Sequence, residues 1–114
     1  MPARLKAAGT STSHLGAAQL ARLRDLMIEE RSLQNQRRQE LWDTPSFEPD
    51  VTVALLNACE ETLLDIEEAL VLLDRGDYGA CAACGIAIPF ERLEAVPGAR
   101  FCVPCQARVE RLSR

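Results

Sequence analysis

The stretch Cys81-Ala-Ala-Cys84-Gly85, separated from Cys102-Val-Pro-Cys105 by seventeen residues after Cys84, limits what this chain can fold into more than any other feature. Two C-x-x-C pairs at this separation form a zinc-ribbon pattern. Each pair fits a tight turn that aims two thiolates at one point, and Gly85 and Pro104 suit such turns. Cys81, Cys84, Cys102 and Cys105 would close a tetrahedral shell around one Zn2+. Such a shell leaves no open position for a water, so the metal is expected to be structural. Two disulfides would need an oxidising compartment, and no signal peptide is read at the start of the chain. A redox C-x-x-C would use one pair and leave the other idle.

With 114 residues, the chain is long enough for one compact domain or a small module with an extended arm. Leu and Ala dominate, and aromatic residues make up only 4%. That balance favours helices packed on one another over a broad β core. No apolar run approaches the roughly 20 residues that span a bilayer, so no membrane segment is expected. The net charge of −4 argues against a protein that binds nucleic acid by neutralising phosphates. Five cysteines without a leader imply a reducing cytoplasm, with Cys59 the odd one out.

Residues 1–13 read as a disordered tail, with Gly9 and a Thr10–Ser13 run and little to bury. Ser13 is a fair N-cap for a helix starting after it. From His14 to Leu41 the pattern predicts one long amphipathic helix. Leu15, Leu20, Leu23, Met27 and Leu33 form its apolar stripe, broadened by Leu26 and Ile28. His14 reads as a polar residue of the capping region. Pro45 and Pro49 then break the helix within residues 42–50. Asp50, or Ser46 for an earlier start, is expected to cap a second helix over 51–75. There Leu56, Cys59, Leu63, Ile66, Leu70 and Leu73 alternate by three and four, an a/d seam widened by Leu55, Leu64 and Leu72. Cys59 lies on the seam and reads as a small core residue. Gly76 ends the helix.

Two such helices joined by a short breaker predict an antiparallel coiled-coil hairpin over 14–75, with its tip at 42–50. An arm of 25 residues would be roughly 38 Å long. The Arg-rich first helix and the acidic second, with Glu60, Glu61, Asp65, Glu67, Glu68 and Asp74, can attract along their flanks. Residues 76–114 form the ribbon: Ile86, Ile88 and Phe90 alternate as one short strand, and Arg92–Ala95 makes a turn. A terminal helix is expected from Gln106 to Leu112, with Val109 and Leu112 facing inward. Arg92 and Glu94 are expected to form a local surface pair. So small a module has little core of its own, and metal is expected to supply much of its folding energy. The fold class expected is mainly α: a long hairpin, a four-cysteine zinc module and a C-terminal helix.

The segment Gly76-Asp77-Tyr78-Gly79-x-Cys81-x-x-Cys84-Gly85-x-x-Ile88, then Arg92-Leu93-Glu94-Ala95-x-Pro97, then Cys102-x-x-Cys105 closely resembles the DksA/TraR zinc-finger family. The resemblance covers about residues 76–106, and the hairpin before it suits the family's architecture. It implies a regulator that binds bacterial RNA polymerase rather than specific DNA sequences. The arm would enter the secondary channel, and the zinc module would stay at the rim. Acids at the tip would act near the active centre. By that resemblance Trp42, Asp43, Phe47, Glu48 and Asp50 are the candidate contact residues of the tip, and Arg92 and Arg100 those of the zinc module. The Asp-x-x-Asp-x-Ala tip motif known in the family is absent here, because Val51 and Thr52 come after Asp50. Glu67 and Glu68 stand where members that contact ppGpp are lysine-rich, which argues against a ppGpp site of that kind.

A different class of reading is a zinc-stabilised coiled-coil adaptor for another partner, or a homodimer through the wide apolar stripe in place of the expected monomer. A nucleic-acid-binding ribbon is the weakest reading, since residues 76–114 hold five Arg against four acids. One His, no paired acids on a rigid scaffold and no Gly-rich phosphate loop give no basis for an enzyme.

Overall fold

A computed structural model of the chain describes residues 14–112. It is mainly helical: α1 (Ala17–Asp43), α2 (Pro49–Arg75), α3 (Phe90–Ala95) and α4 (Val103–Leu112). The expected tail over 1–13, with Ser13 as a cap, lies outside the described residues.

The helix α1 starts three residues later than expected, at Ala17. Gly16 is its N-cap, and its N–H donates to Gln19 Oε1 at 2.9 Å. The helix then runs through Trp42 and Asp43 and stops at Thr44, whose N–H bonds back to the Glu40 carbonyl at 2.8 Å. Thr44 precedes Pro45, which crowds a helical conformation there. Pro49 opens α2 at its first position, where a missing N–H costs nothing. The cap is Glu48, in extended backbone, and not Asp50 or Ser46. Asp50 sits one residue inside the first turn, where its charge suits the positive helix end. Gly76 closes α2 with φ +80°, a left-handed cap that few other residues adopt readily.

The hairpin pairs its helices through ion pairs that step seven residues forward on α1 and seven back on α2. Arg24 meets Asp74, Arg31 meets Glu67 at 3.3 Å and Arg38 meets Glu60 at 3.1 Å. That reversed order fixes the antiparallel register. Each helix has 27 residues, so the arm is about 40 Å long. On the seam, Cys59, Leu63, Ile66, Leu70 and Leu73 are buried as expected, and Leu56 is half-buried. Thr52 continues the same three-four rhythm and is buried too. Leu55 and Leu64 do not widen the seam; they point to solvent. Leu33 on α1 is likewise exposed, so the apolar stripe there effectively ends at Met27. Beyond it Gln34 bonds Glu30 at 2.9 Å, and the buried apolar side chains of the outer arm come from α2, at Leu63 and Cys59.

The core lies at the base of the hairpin. Leu15, Leu23 and Met27 meet Ile66, Ala69, Leu70 and Leu73, together with Tyr78, Ile88, Leu93 and Ala99 from the cysteine-bearing segment. That segment shares one core with the helices rather than folding around a separate one. Fully burying a side chain such as Ile66 or Leu93 stabilises by roughly 1.5–3 kcal/mol. An exposed ion pair of the outer arm contributes only about 0.2–1 kcal/mol. The base therefore dominates stability.

The expected strand over Ile86, Ile88 and Phe90 is a single antiparallel bridge, Ala80 to Ala87. Cys81 N–H to Ile86 O and Ile88 N–H to Gly79 O, both 2.8 Å, flank it. Pro89 removes the next ladder donor, and Phe90 begins α3 instead. Residues 92–95, expected as a turn, belong to that helix. The last helix begins at Val103 and not Gln106, so the second cysteine pair is built into its start. Val109 is half-buried, but Leu112 is 86% exposed and does not face inward.

Candidate metal centre

The four cysteines come from two different constructions. Cys81 and Cys84 sit on a turn after the bridge, closed by Gly85 N–H to Cys81 O at 2.9 Å. Cys102 and Cys105 straddle the start of α4, with Gln106 N–H bonding Cys102 O at 2.8 Å. Ala82 N–H to Arg100 O at 2.8 Å ties the two constructions together. All four sulfur atoms lie within 4.8 Å of one another, and all are free thiols. Cys84 Sγ and Cys102 Sγ are 3.8 Å apart. A tetrahedron with Zn–S of about 2.3 Å has edges of about 3.8 Å. The donor set therefore fits one structural zinc ion with four sulfur ligands. Cys81, Cys102 and Cys105 are buried, whereas Cys84 is exposed.

The thiols differ sharply without metal. Burial pushes Cys81 up, but the backbone N–H groups of Cys102, Cys84 and Ala83 outweigh it and bring the thiol down to about 6. Cys105 is pushed up to about 12, first by its bond with Cys102, then by burial and by Cys81 and Cys84. Thiolates this close repel one another, so some protons stay on until a cation replaces them. Arg108 works the other way: its Nη2 donates to Cys105 Sγ at 3.0 Å. The sequence holds no motif for this contact. Only the i, i+3 spacing on a helix that starts earlier than expected brings the two together.

The cysteine segment is fastened to the hairpin. His14 Nε2–H donates to the Ile88 carbonyl at 2.8 Å, so His14 braces the ribbon as well as preceding α1. Tyr78 O–H donates to Ala99 O at 3.1 Å, and its burial raises the phenol pKa well above the usual range. Arg100 reaches α2, with Glu68 at 3.3 Å and Asp65 at 3.7 Å, and lies over the Phe101 ring. Burial raises the Asp65 pKa, and Arg100 pulls it back. The expected Arg92–Glu94 pair does not form: Glu94 meets Arg22 on α1 at 3.4 Å. Arg92 Nε is buried and has no hydrogen-bond partner among the described residues. Arg100 therefore stands at the join between ribbon and helices, and Arg92 lines a cavity there with Thr62 and Asp65 of α2.

The tip lies at the far end of the arm. Phe47 is 95% exposed and Trp42 65%. Asp43, Glu48 and Asp50 are exposed around them, with Asp43 accepting a bond from Gln39 at 3.1 Å. The turn is stapled: Ser46 N–H donates to Thr52 Oγ1 at 2.8 Å, and Glu48 N–H to Ser46 Oγ at 3.1 Å. Thr52 escapes a reading based on apolar residues, although it falls on the heptad. Among the described residues no helix is long and apolar enough to cross a membrane.

Comparison with known proteins gives a consistent family. Residues 76–111 match the prokaryotic dksA/traR C4-type zinc finger. General stress protein 16O of Bacillus subtilis is 50% identical over 50 residues, 44% of this chain and 31% of that protein. The RNA polymerase-binding transcription factor DksA of Escherichia coli K12 is 34% identical over 70 residues, 60% of this chain and 46% of that protein. The chain thus spans less than half the length of these curated relatives. The solved structure of transcription factor DksA2 from Pseudomonas aeruginosa is similar over 87% of this chain and 88% of that one, with a TM-score of 0.65 and 32% identity. With most of the chain similar to a solved member at 32% identity, and Cys81, Cys84, Cys102 and Cys105 all inside the segment that matches the zinc-finger model, the chain belongs to the DksA/TraR zinc-finger family.

Proposed function

We propose that this protein regulates transcription by binding bacterial RNA polymerase in the cytoplasm, with its arm in the secondary channel. In this reading the tip reaches toward the active centre and the zinc module rests at the rim. One observation carries it: a stiff arm of about 40 Å ends in an exposed aromatic side chain among acids. Phe47, Trp42, Asp43, Glu48 and Asp50 are the proposed contact residues, all exposed at the tip. An acidic tip suits a catalytic Mg2+ or a basic loop. Arg92 and Arg100 are secondary contacts of the zinc module. A ppGpp site is not part of the proposal, because Glu67 and Glu68 face the arm's flank where basic groups would be needed.

The test is a photo-crosslinker in place of Phe47, with zinc-loaded protein and bacterial core RNA polymerase. A crosslink to the active-centre region supports the reading. Stoichiometric zinc with no binding at micromolar polymerase overturns it.

A second reading rests on Leu55 and Leu64, which are 44% and 69% exposed on α2. They suit a coiled-coil adaptor or a homodimer. Sedimentation at rising protein concentration would then show a dimer, and polymerase would have no effect on it.

A further inference from the structure

The four sulfur atoms are not protected alike. Cys84 is exposed and the other three are buried. Backbone N–H groups of Ala83, Cys84 and Cys102 surround Cys81. Cys105 instead receives a charged side-chain donor, Arg108 Nη2, at 3.0 Å. Four thiolates outnumber the charge of a dication, so the loaded site is anionic. A guanidinium beside one sulfur offsets that charge locally, and charge-assisted bonds are the stronger ones.

We infer that Arg108 is a positioning residue of the metal centre: its guanidinium holds Cys105 on the ion and shields it, so that zinc release starts at exposed Cys84 and ends at Cys105. The geometry supports this order at both ends. Cys105 and Arg108 share one helical face of α4, so the contact does not depend on a loop. Solvent and electrophiles reach Cys84 first, because its knuckle lies outside that helix and is open to water.

The experiment uses the full chain loaded with zinc and no polymerase, so its result is independent of the proposed function. Zinc release to a chromophoric chelator is timed for wild type, Arg108→Gln, Arg108→Lys and Arg111→Gln. Arg111 is exposed on the same helix and serves as the charge control. In parallel, iodoacetamide labelling of each cysteine is tracked by mass spectrometry. Removing an outer partner of a metal ligand typically costs 10–100-fold. Arg108→Gln is therefore expected to release zinc about 10–100-fold faster, with Cys105 labelling advanced and Cys84 labelling still first. Arg108→Lys should recover most of the slow release, and Arg111→Gln should match wild type. If Arg108→Gln does not load zinc, Arg108→Lys decides: stoichiometric loading with slow release supports the inference, and failure to load overturns it. Release within twofold of wild type for Arg108→Gln, or an equal effect of Arg111→Gln, also overturns it.

Discussion

Gly98 shows how closely the ribbon and the hairpin approach. Its φ of +86° is left-handed, and a Cβ there would lie 3.0 Å from Ile66 Cγ1 and 3.3 Å from Ile66 Cα. Ile66 is fully buried and cannot give way without moving α2. Gly98→Ala is therefore expected to destabilise by about 1–3 kcal/mol, through backbone strain and overpacking together. Urea unfolding would measure it, with Gly85→Ala as the comparison, since nothing lies near a Cβ at that equally left-handed glycine. The cysteines allow a second prediction, with a definite sign. The Cys81 pKa is lowered to about 6 in the folded chain, so its thiolate contributes above that pH and is lost as pH falls through about 6. Cys105, raised to about 12, keeps its proton until the metal displaces it. Zinc affinity should then fall at least tenfold per pH unit, roughly, on acidification, and more steeply below about pH 6. Chelator competition between pH 8 and pH 5 would show that bend. A slope that stays constant through pH 6 would remove Cys81 as its source.

Among the elements, the tip turn is held by one side chain. Thr52 Oγ1 accepts the Ser46 N–H, and Ser46 Oγ in turn accepts the Glu48 N–H. Thr52→Val keeps the shape and removes the acceptor, at a cost of about 0.5–1.5 kcal/mol. Ser46 amide exchange should accelerate while the exchange of α2 residues near Ile66 is unchanged. This turn also marks the limit of what the sequence discloses. The heptad from Leu56 to Leu73 and the cysteine spacing are strong periodic signals, and the structure obeys both. Thr52 extends the heptad by one step but reads as polar, so the apolar pattern does not disclose its burial. The apolar alternation at Ile86, Ile88 and Phe90 is too short to separate strand from helix, and Pro89 decides the matter locally. The Glu94 partner, Arg22, lies 72 residues away in sequence, beyond any local pattern. The same holds for His14 and Ile88. Arg108 is invisible as a ligand partner as long as its helix is expected to begin after Cys105; the start at Val103 brings the two onto one face.

Across the whole molecule, metal and arm are linked through one core. Ile88, Leu93 and Ala99 of the ribbon pack into the same cluster as Leu23, Met27 and Ile66 of the hairpin base. Tyr78, Arg100 and Glu94 add polar ties from the ribbon or within it. A ribbon that loses its metal would therefore take support away from the base. The outer arm has different supports: its ion pair Arg38–Glu60, and buried Cys59 and Leu63. Zinc stripping by a chelator is thus expected to act with a gradient along the hairpin. Amides of residues 66–73 should lose protection together with residues 78–102, whereas those of residues 52–59 should change least. Hydrogen exchange with and without chelator would measure this, and restoring zinc should restore protection. Uniform loss along both helices would mean that the arm cannot stand without the ribbon. Unchanged protection at residues 66–73 would mean that the shared core contributes little, and that the hairpin and the zinc module fold as separate units. The gradient arises from where the core shared with the ribbon ends, near Met27 on α1 and Ile66 on α2, and it predicts an arm whose base responds to metal while its tip keeps its shape.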